Sequence, residues 1–416
     1  MTLIKTSLLN GIAVAIKMLT LLGLNKILAI YVGPSGYAAL GQFQNAIQMI
    51  TTFASGAINT GVTKYTAEYY GDETRQHAIW RTAGTIALTG SLLVAVLVAT
   101  FNQALAGWVL KDESLGSVFI WFAATLVLFV FNTLLLAILN GKKEIRRYVI
   151  ANIAGSLFAL AVTSVMAIQL GLYGALIALA IYQSLTFFVT FALIYKTSWF
   201  RLSYLFGSID RQAAKNLGKY TAMALTSAVC VPVSHILIRN HLGDTLGWDA
   251  AGYWEAMWRL SSAYLMLIST TLGVYYLPKL SELQTPADIK NEILQGYKII
   301  LPVATVLGLI IYLKRDLIIH ILFSAEFTPM ESLFAWQMVG DFLMIASWIM
   351  GYVLAAKAYI FIHMTFQVFF PAFFFFLVMQ FTEKYGIEGA AIAHAATYSL
   401  HIVTMFFVLK MKGVFK

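Results

Sequence analysis

The chain has 416 residues, of which 60% are hydrophobic and only 11% charged, with a formal net charge of +9. A water-soluble domain needs far more Lys, Glu, Arg and Asp to cover its surface, so this composition excludes an ordinary soluble fold. The single cysteine excludes an intrachain disulfide, and the cationic excess of so apolar a chain fits membrane-proximal loops better than nucleic-acid binding.

In chain order, apolar stretches long enough to cross hydrocarbon are expected near 6–31, 37–62, 81–101, 117–139, 149–169 and 174–195. The second half continues with 217–240, 252–277, 296–313, 333–355, 358–380 and 389–409, about twelve in all. The stretches are continuous rather than alternating, which favours helices over a β-barrel. The fold class expected is therefore all-α integral membrane. The start, MTLIKTSLLNGIAVAIKMLT, lacks a small-residue cleavage pattern and reads as the first membrane helix rather than a signal peptide.

An even count puts both termini on one side. Placing them in the cytoplasm gathers Lys64, Arg75, Arg81, Lys142, Lys143, Arg146, Arg147, Lys196, Arg201 and others inside, about 20 basic residues against about five outside. That asymmetry follows the positive-inside rule and sets the expected topology, with both termini in the cytoplasm. The longest polar connections, 196–216 and 278–295, are short, and TPADIKNEI within the second has the form of an amphipathic turn after a proline. GxxxxGK[ST], HExxH and GxSxG are missing, as is any CxxC or His-rich spacing, so no enzyme chemistry, metal or cofactor is expected.

The two halves repeat. GLYGALIALAIYQSL (171–185) matches GIEGAAIAHAATYSL (386–400), with Gly171/Gly386, Gly174/Gly389, Ala178/Ala393 and Ser184/Ser399 among the identical pairs. The same offset aligns Lys142 with Lys357, and ALGQFQNAIQM (39–49) lies against AAGYWEAMWRL (250–260). Six helices repeated without a change of side imply two bundles, 1–195 and 196–416, related by an axis along the membrane normal. Such parallel repeats put a substrate site at their interface and work by rocking.

Ionisable groups at membrane depth cost about 2.5–3.5 kcal/mol each on insertion scales, so each calls for a reason. The candidates are Lys17, Lys26, Glu255, Arg259 and Asp341, with Arg239 read as snorkelling from a helix end. Glu255 and Arg259 share a helix face and can pair, either to line a hydrated cavity or to fix packing. They align with Gln44 and Gln48 of the first half, beside Asn45, so a polar face recurs in both halves. Lys17 and Lys26 lie nine residues apart, on opposite sides of an ideal helix. Asp341 has no basic neighbour in sequence, which makes it the candidate for proton coupling. His235, His363 and His394 are expected to bond neighbouring helices, and PAFFFF (371–376) to face lipid or core.

YVGPSGYAALGQFQ (31–44) and the segment from Leu242 to Leu260 resemble matched loops of the polysaccharide exporters of the multidrug/oligosaccharidyl-lipid/polysaccharide superfamily. Within it the chain is similar to the Wzx-type lipid III flippases of enterobacterial common antigen biosynthesis. The resemblance implies a V-shaped pair of six-helix lobes around a cationic cavity, approached by Lys17, Lys26 and Arg259. It also implies movement of an undecaprenyl-diphosphate-linked oligosaccharide from the cytoplasmic to the periplasmic leaflet. The partners implied are that lipid-linked glycan, membrane lipid and other glycan-assembly membrane proteins. Gln44, Asn45, Gln48, Tyr253, Trp254 and Trp258 could meet sugars. The alternatives are a cation-coupled small-molecule exporter of the same superfamily, whose cavity should favour acidic residues, and a glycan polymerase, which needs a larger external loop.

Overall fold

In the computed structural model, residues 3–357 and 359–415 are described, and among them there is no strand. The helices are α1 (Leu3–Tyr31), α2 (Gly33–Ala54), α3 (Asn59–Glu68), α4 (Glu73–Thr100), α5 (Asn102–Val109), α6 (Gly116–Gly141), α7 (Ile145–Tyr195) and α8 (Arg211–Leu246). They continue as α9 (Trp248–Thr271), α10 (Leu277–Glu282), α11 (Pro286–Leu313), α12 (Arg315–Leu322), α13 (Phe334–Ala356), α14 (Ile360–Tyr385) and α15 (Glu388–Met411).

Eight helices among the described residues are long and apolar enough to cross a membrane. One of them, α7, is 51 residues long and breaks at Gly171 into two passes. The other long helices, α2, α8 and α9, contain 22, 36 and 24 residues but carry the Gln, Asn, Glu and Arg side chains that lower their hydropathy. The twelve expected spans each fall on one of these segments. The span expected at 37–62 is shorter than the pattern suggested, because α2 ends at Ala54 and a turn with positive φ at Gly56 and Ala57 precedes α3. In TPADIKNEI, the Thr285 hydroxyl accepts from the Asp288 N–H at 3.1 Å and caps α11.

Two compact units emerge, one of residues 1–32 and 39–232, the other of 33–38 and 233–416. In the first, α7 packs on α1 and α6, and α6 on α3 and α4. In the second, α13 and α14 pack on α15, and α11 on α13. Apolar side chains remain exposed along single faces, such as Leu92, Leu93, Val96 and Leu97 on α4 and Ile299, Val303, Val306 and Ile310 on α11. Spaced three and four apart, they form the stripe a helix presents to lipid. The phenylalanine run divides in the same way, with Phe374 buried and Phe376 exposed.

The sequence repeat has a backbone counterpart. Gly171 (φ 56°, ψ −135°) and Gly386 (φ 60°, ψ −145°) adopt the same conformation, which a side chain would strain. Three residues on, a Cβ at Gly174 would come 2.0 Å from the Met166 carbonyl oxygen, and one at Gly389 would come 2.3 Å from the equivalent Phe381 oxygen. Each glycine lets the chain fold back on itself in a turn too tight for alanine. Lys142 and Lys357 cap the preceding helices, their N–H groups bonding the carbonyls of Ile138 and Val353. The next helices start from Glu144 (φ −78°, ψ 55°) and Tyr359 (φ −77°, ψ 59°).

Candidate functional site

Glu255 and Arg259 project from one face of α9, which runs close to the start of α2: a Cβ at Gly252 would fall 1.8 Å from the Pro34 oxygen. The pair is a triad. Arg259 Nε donates to Glu255 Oε1 at 2.8 Å, and Arg239 Nε on α8 donates to Glu255 Oε2 at 2.9 Å. Arg239, Glu255 and Arg259 are 2%, 4% and 8% exposed. Aromatic faces cover both guanidinium groups, Trp254 at 5.6 Å from Arg239 and Tyr37 at 5.2 Å from Arg259. The expectation that Arg239 merely snorkels is therefore corrected. A carboxylate at this depth accepts on both oxygens, and Arg239 satisfies the second.

Asp341 departs further from expectation. It lies buried on α13 and has a basic neighbour supplied by tertiary structure, His394 on α15, whose Nε2 is 2.9 Å from Oδ1. Gln337 Nε2 donates to Oδ1 at 3.1 Å, the Ser261 hydroxyl donates to Oδ2 at 2.6 Å, and the Tyr264 hydroxyl also donates to Oδ2. Gly340 makes room for the imidazole, since a Cβ there would stand 2.1 Å from His394. Sequence adjacency could not show this partner, which lies 53 residues away. His394 thus bonds a neighbouring helix as expected. His363 bonds Gln367 of its own helix, and His235 packs edge-on to Trp254 and Trp258.

The first unit is built differently. Lys17 on α1 and Gln44 on α2 line a hollow of about 240 Å³ together with Asn132 of α6 and Asn152, Thr163, Tyr182 and Gln183 of α7. A second hollow of about 410 Å³ shares Gln44, Leu179 and Tyr182 with it and adds Asn45 and Gln48. The two linings contain one cation, Lys17, and no carboxylate. Lys26, half-buried nine residues along the helix, lines neither of these hollows. The structure thus brings Lys17, Gln44, Asn45 and Gln48 together in one unit and Glu255, Arg259 and Asp341 into the core of the other.

Side chains behind the first hollow are held in place. Asn132 donates to Gln183 Oε1 at 3.1 Å and accepts from Thr190 at 2.7 Å, while Gln183 Nε2 donates to the Tyr182 hydroxyl at 3.2 Å. Asn132, Asn152, Tyr182 and Gln183 were not among the residues singled out from sequence. The signal was an amide inside each of two strongly apolar runs, Asn132 within 117–139 and Gln183 within 174–195.

The fold, with the same glycine-turned hairpin in each unit, is shared with solved membrane transporters. The structure matches "Inward-facing conformation of a multidrug resistance MATE family transporter of the MOP superfamily" with a TM-score of 0.74 at 14% identity, covering 95% of this chain and 94% of the other. It also matches "Lipid II flippase MurJ, inward closed conformation" with a TM-score of 0.73 at 13% identity, covering 98% and 87%. Residues 3–284 match the family model described as "Polysaccharide biosynthesis protein". Proteins named "Lipid III flippase" from Escherichia coli (strain K12) and Shigella flexneri are each 32% identical over 410 residues, 96% of either chain. The chain belongs to this polysaccharide biosynthesis family and is a multi-pass membrane protein.

Proposed function

We propose that the protein flips an undecaprenyl-diphosphate-linked oligosaccharide, the lipid III of enterobacterial common antigen, from the cytoplasmic to the periplasmic leaflet by alternating access. The observation that carries the reading is the lining of the first unit's hollows, with one cation, several carboxamides and no carboxylate. An anionic, hydroxyl-rich head group finds donors and positive charge there, whereas a cationic drug finds no counter-ion. The full-length similarity to proteins named lipid III flippase supports the same cargo. Lys17 supplies the charge within these hollows, Lys26 adds a second positive charge farther along α1 outside them, and Gln44, Asn45 and Gln48 supply the hydrogen bonds. The polyprenyl tail stays in lipid throughout.

On this reading the protein is a transporter and not an enzyme, it sits in the bacterial inner membrane, and both termini face the cytoplasm, as the distribution of basic loops indicates. An inside-negative potential aids outward movement of an anionic head by about 2.3 kcal/mol per charge per 100 mV. The buried Glu255–Arg239–Arg259 triad holds the second unit together, and the proton of coupling is carried by Asp341 with His394 beside it. Reconstituted protein should move a lipid-linked acidic oligosaccharide between leaflets while leaving cationic dyes untransported. Dye transport without glycan movement would defeat the proposal.

A further inference from the structure

Resting on the flippase reading, we infer that the Lys17 hollow of the first unit is a subsite for one acidic sugar ring of the cargo, with Lys17 meeting its carboxylate, and that it does not hold the diphosphate. The first ground is the charge balance. Lys17 is the only ionisable group of ordinary acid or base strength in the lining of either hollow. A single ammonium matches a single carboxylate. A diphosphate carries more charge in a smaller volume and calls for several cations or a guanidinium fork to offset its desolvation.

The second ground is the donor set. A hollow of about 240 Å³ whose wall sets carboxamides and hydroxyls among Leu21, Leu24, Leu136 and Leu179 has the size and the mixed chemistry of one pyranose, with its polar edges and apolar C–H faces. Thr163 lines it at 1% exposure, and its hydroxyl has no hydrogen-bond partner among the described residues. A buried hydroxyl left so costs free energy until a ligand supplies the bond. The Tyr182 hydroxyl accepts from Gln183, which leaves its own proton to give to a sugar oxygen. The hydrogen bonds of Asn132 to Gln183 and Thr190 fix this wall in advance, so little ordering remains to be done when a ring enters.

The test uses the full chain in nanodiscs with three soluble probes: methyl glucuronide, methyl glucoside and inorganic diphosphate. The glucuronide should bind about tenfold more tightly than the glucoside, as a charge-assisted bond implies. Lys17→Gln should erase that preference, Lys17→Arg should keep it, and diphosphate should fail to displace the glucuronide. A preference that survives in Lys17→Gln, or displacement by diphosphate at lower concentration than by the glucoside, overturns the subsite. Flipping is scored separately with the lipid-linked glycan and its carboxyl-reduced form. Lys17→Gln should slow the acidic cargo about tenfold and slow the reduced one less. Equal rates for both cargoes in Lys17→Gln and wild type would sink the subsite and leave the flippase reading standing. Lys17-dependent glucuronide binding by a protein that flips no lipid-linked glycan would do the reverse.

Discussion

The two units share a backbone plan and differ in what they bury. Their last hairpins turn on glycines of the same conformation, at Gly171 and Gly386, with the same close approach three residues later. Yet at matching positions on α2 and α9 the first unit has exposed Gln44 and Gln48, and the second has buried Glu255 and Arg259. Leu179 lines both hollows of the first unit, whereas its counterpart in the repeat, His394, fills the second unit's core and bonds Asp341. The buried Glu255, Arg239, Arg259 and Asp341 of the second unit have partners of opposite or basic character, and Lys17, the one cation in the linings of the first unit's two hollows, faces a hollow. Repetition preserves the turns that make the fold, while the side chains between them fill a core in one unit and line hollows in the other.

The sharpest way to break this comparison is to remove the anion that neutralises the second unit. Glu255→Ala leaves two buried guanidinium groups facing each other and should cost about 3–5 kcal/mol. The measurement is the melting temperature in detergent, or the yield of membrane-inserted protein. The exchange Glu255→Arg with Arg259→Glu should not restore stability, because Arg239 would then face an arginine. Recovery to the wild-type melting temperature would show that Arg239 is not part of the cluster.

Alanine at Gly174 or at Gly389 should destabilise by about 1–3 kcal/mol through overpacking against a carbonyl, and by similar amounts in the two units. A large loss in one unit only would mean the hairpins are not equivalent. Smaller again is Asp341→Asn, which should cost about 1–2 kcal/mol by disturbing a satisfied network. It should also remove the dependence of flipping on a pH gradient, which an exchange with His394→Gln should share. Gln44→Ala, at the open end of the comparison, should stay within about 0.5 kcal/mol in stability. An effect the size of Glu255→Ala would contradict the contrast between a packed unit and an open one.

Much of this was legible in the chain. Continuous apolar runs gave the helices, and the repeated glycines gave the internal repeat; that they turn hairpins, with no room for a Cβ at Gly174 or Gly389, came only from the backbone. The (i, i+4) spacing of Glu255 and Arg259 gave one ion pair. Hidden from sequence were the partners that arrive through tertiary packing, Arg239 for Glu255 and His394 for Asp341, which lie 16 and 53 residues away. The hollow escaped for a related reason. Beside Gln44 of α2, its amides come from α6 and from both halves of α7, and only the fold back at Gly171 brings Asn152 and Gln183 onto one wall.

The central claim is that the open unit, not the charge cluster of the other, meets an anionic glycan head. Its most direct test is the initial rate of leaflet exchange of the acidic lipid-linked oligosaccharide in proteoliposomes, normalised to inserted protein. Lys17→Gln and Gln44→Ala are compared with wild type. Exchange should be readily measurable in wild type, fall about tenfold in Lys17→Gln and fall less in Gln44→Ala, with melting temperatures unchanged. Wild-type rates in both variants, at wild-type protein levels, would contradict the account.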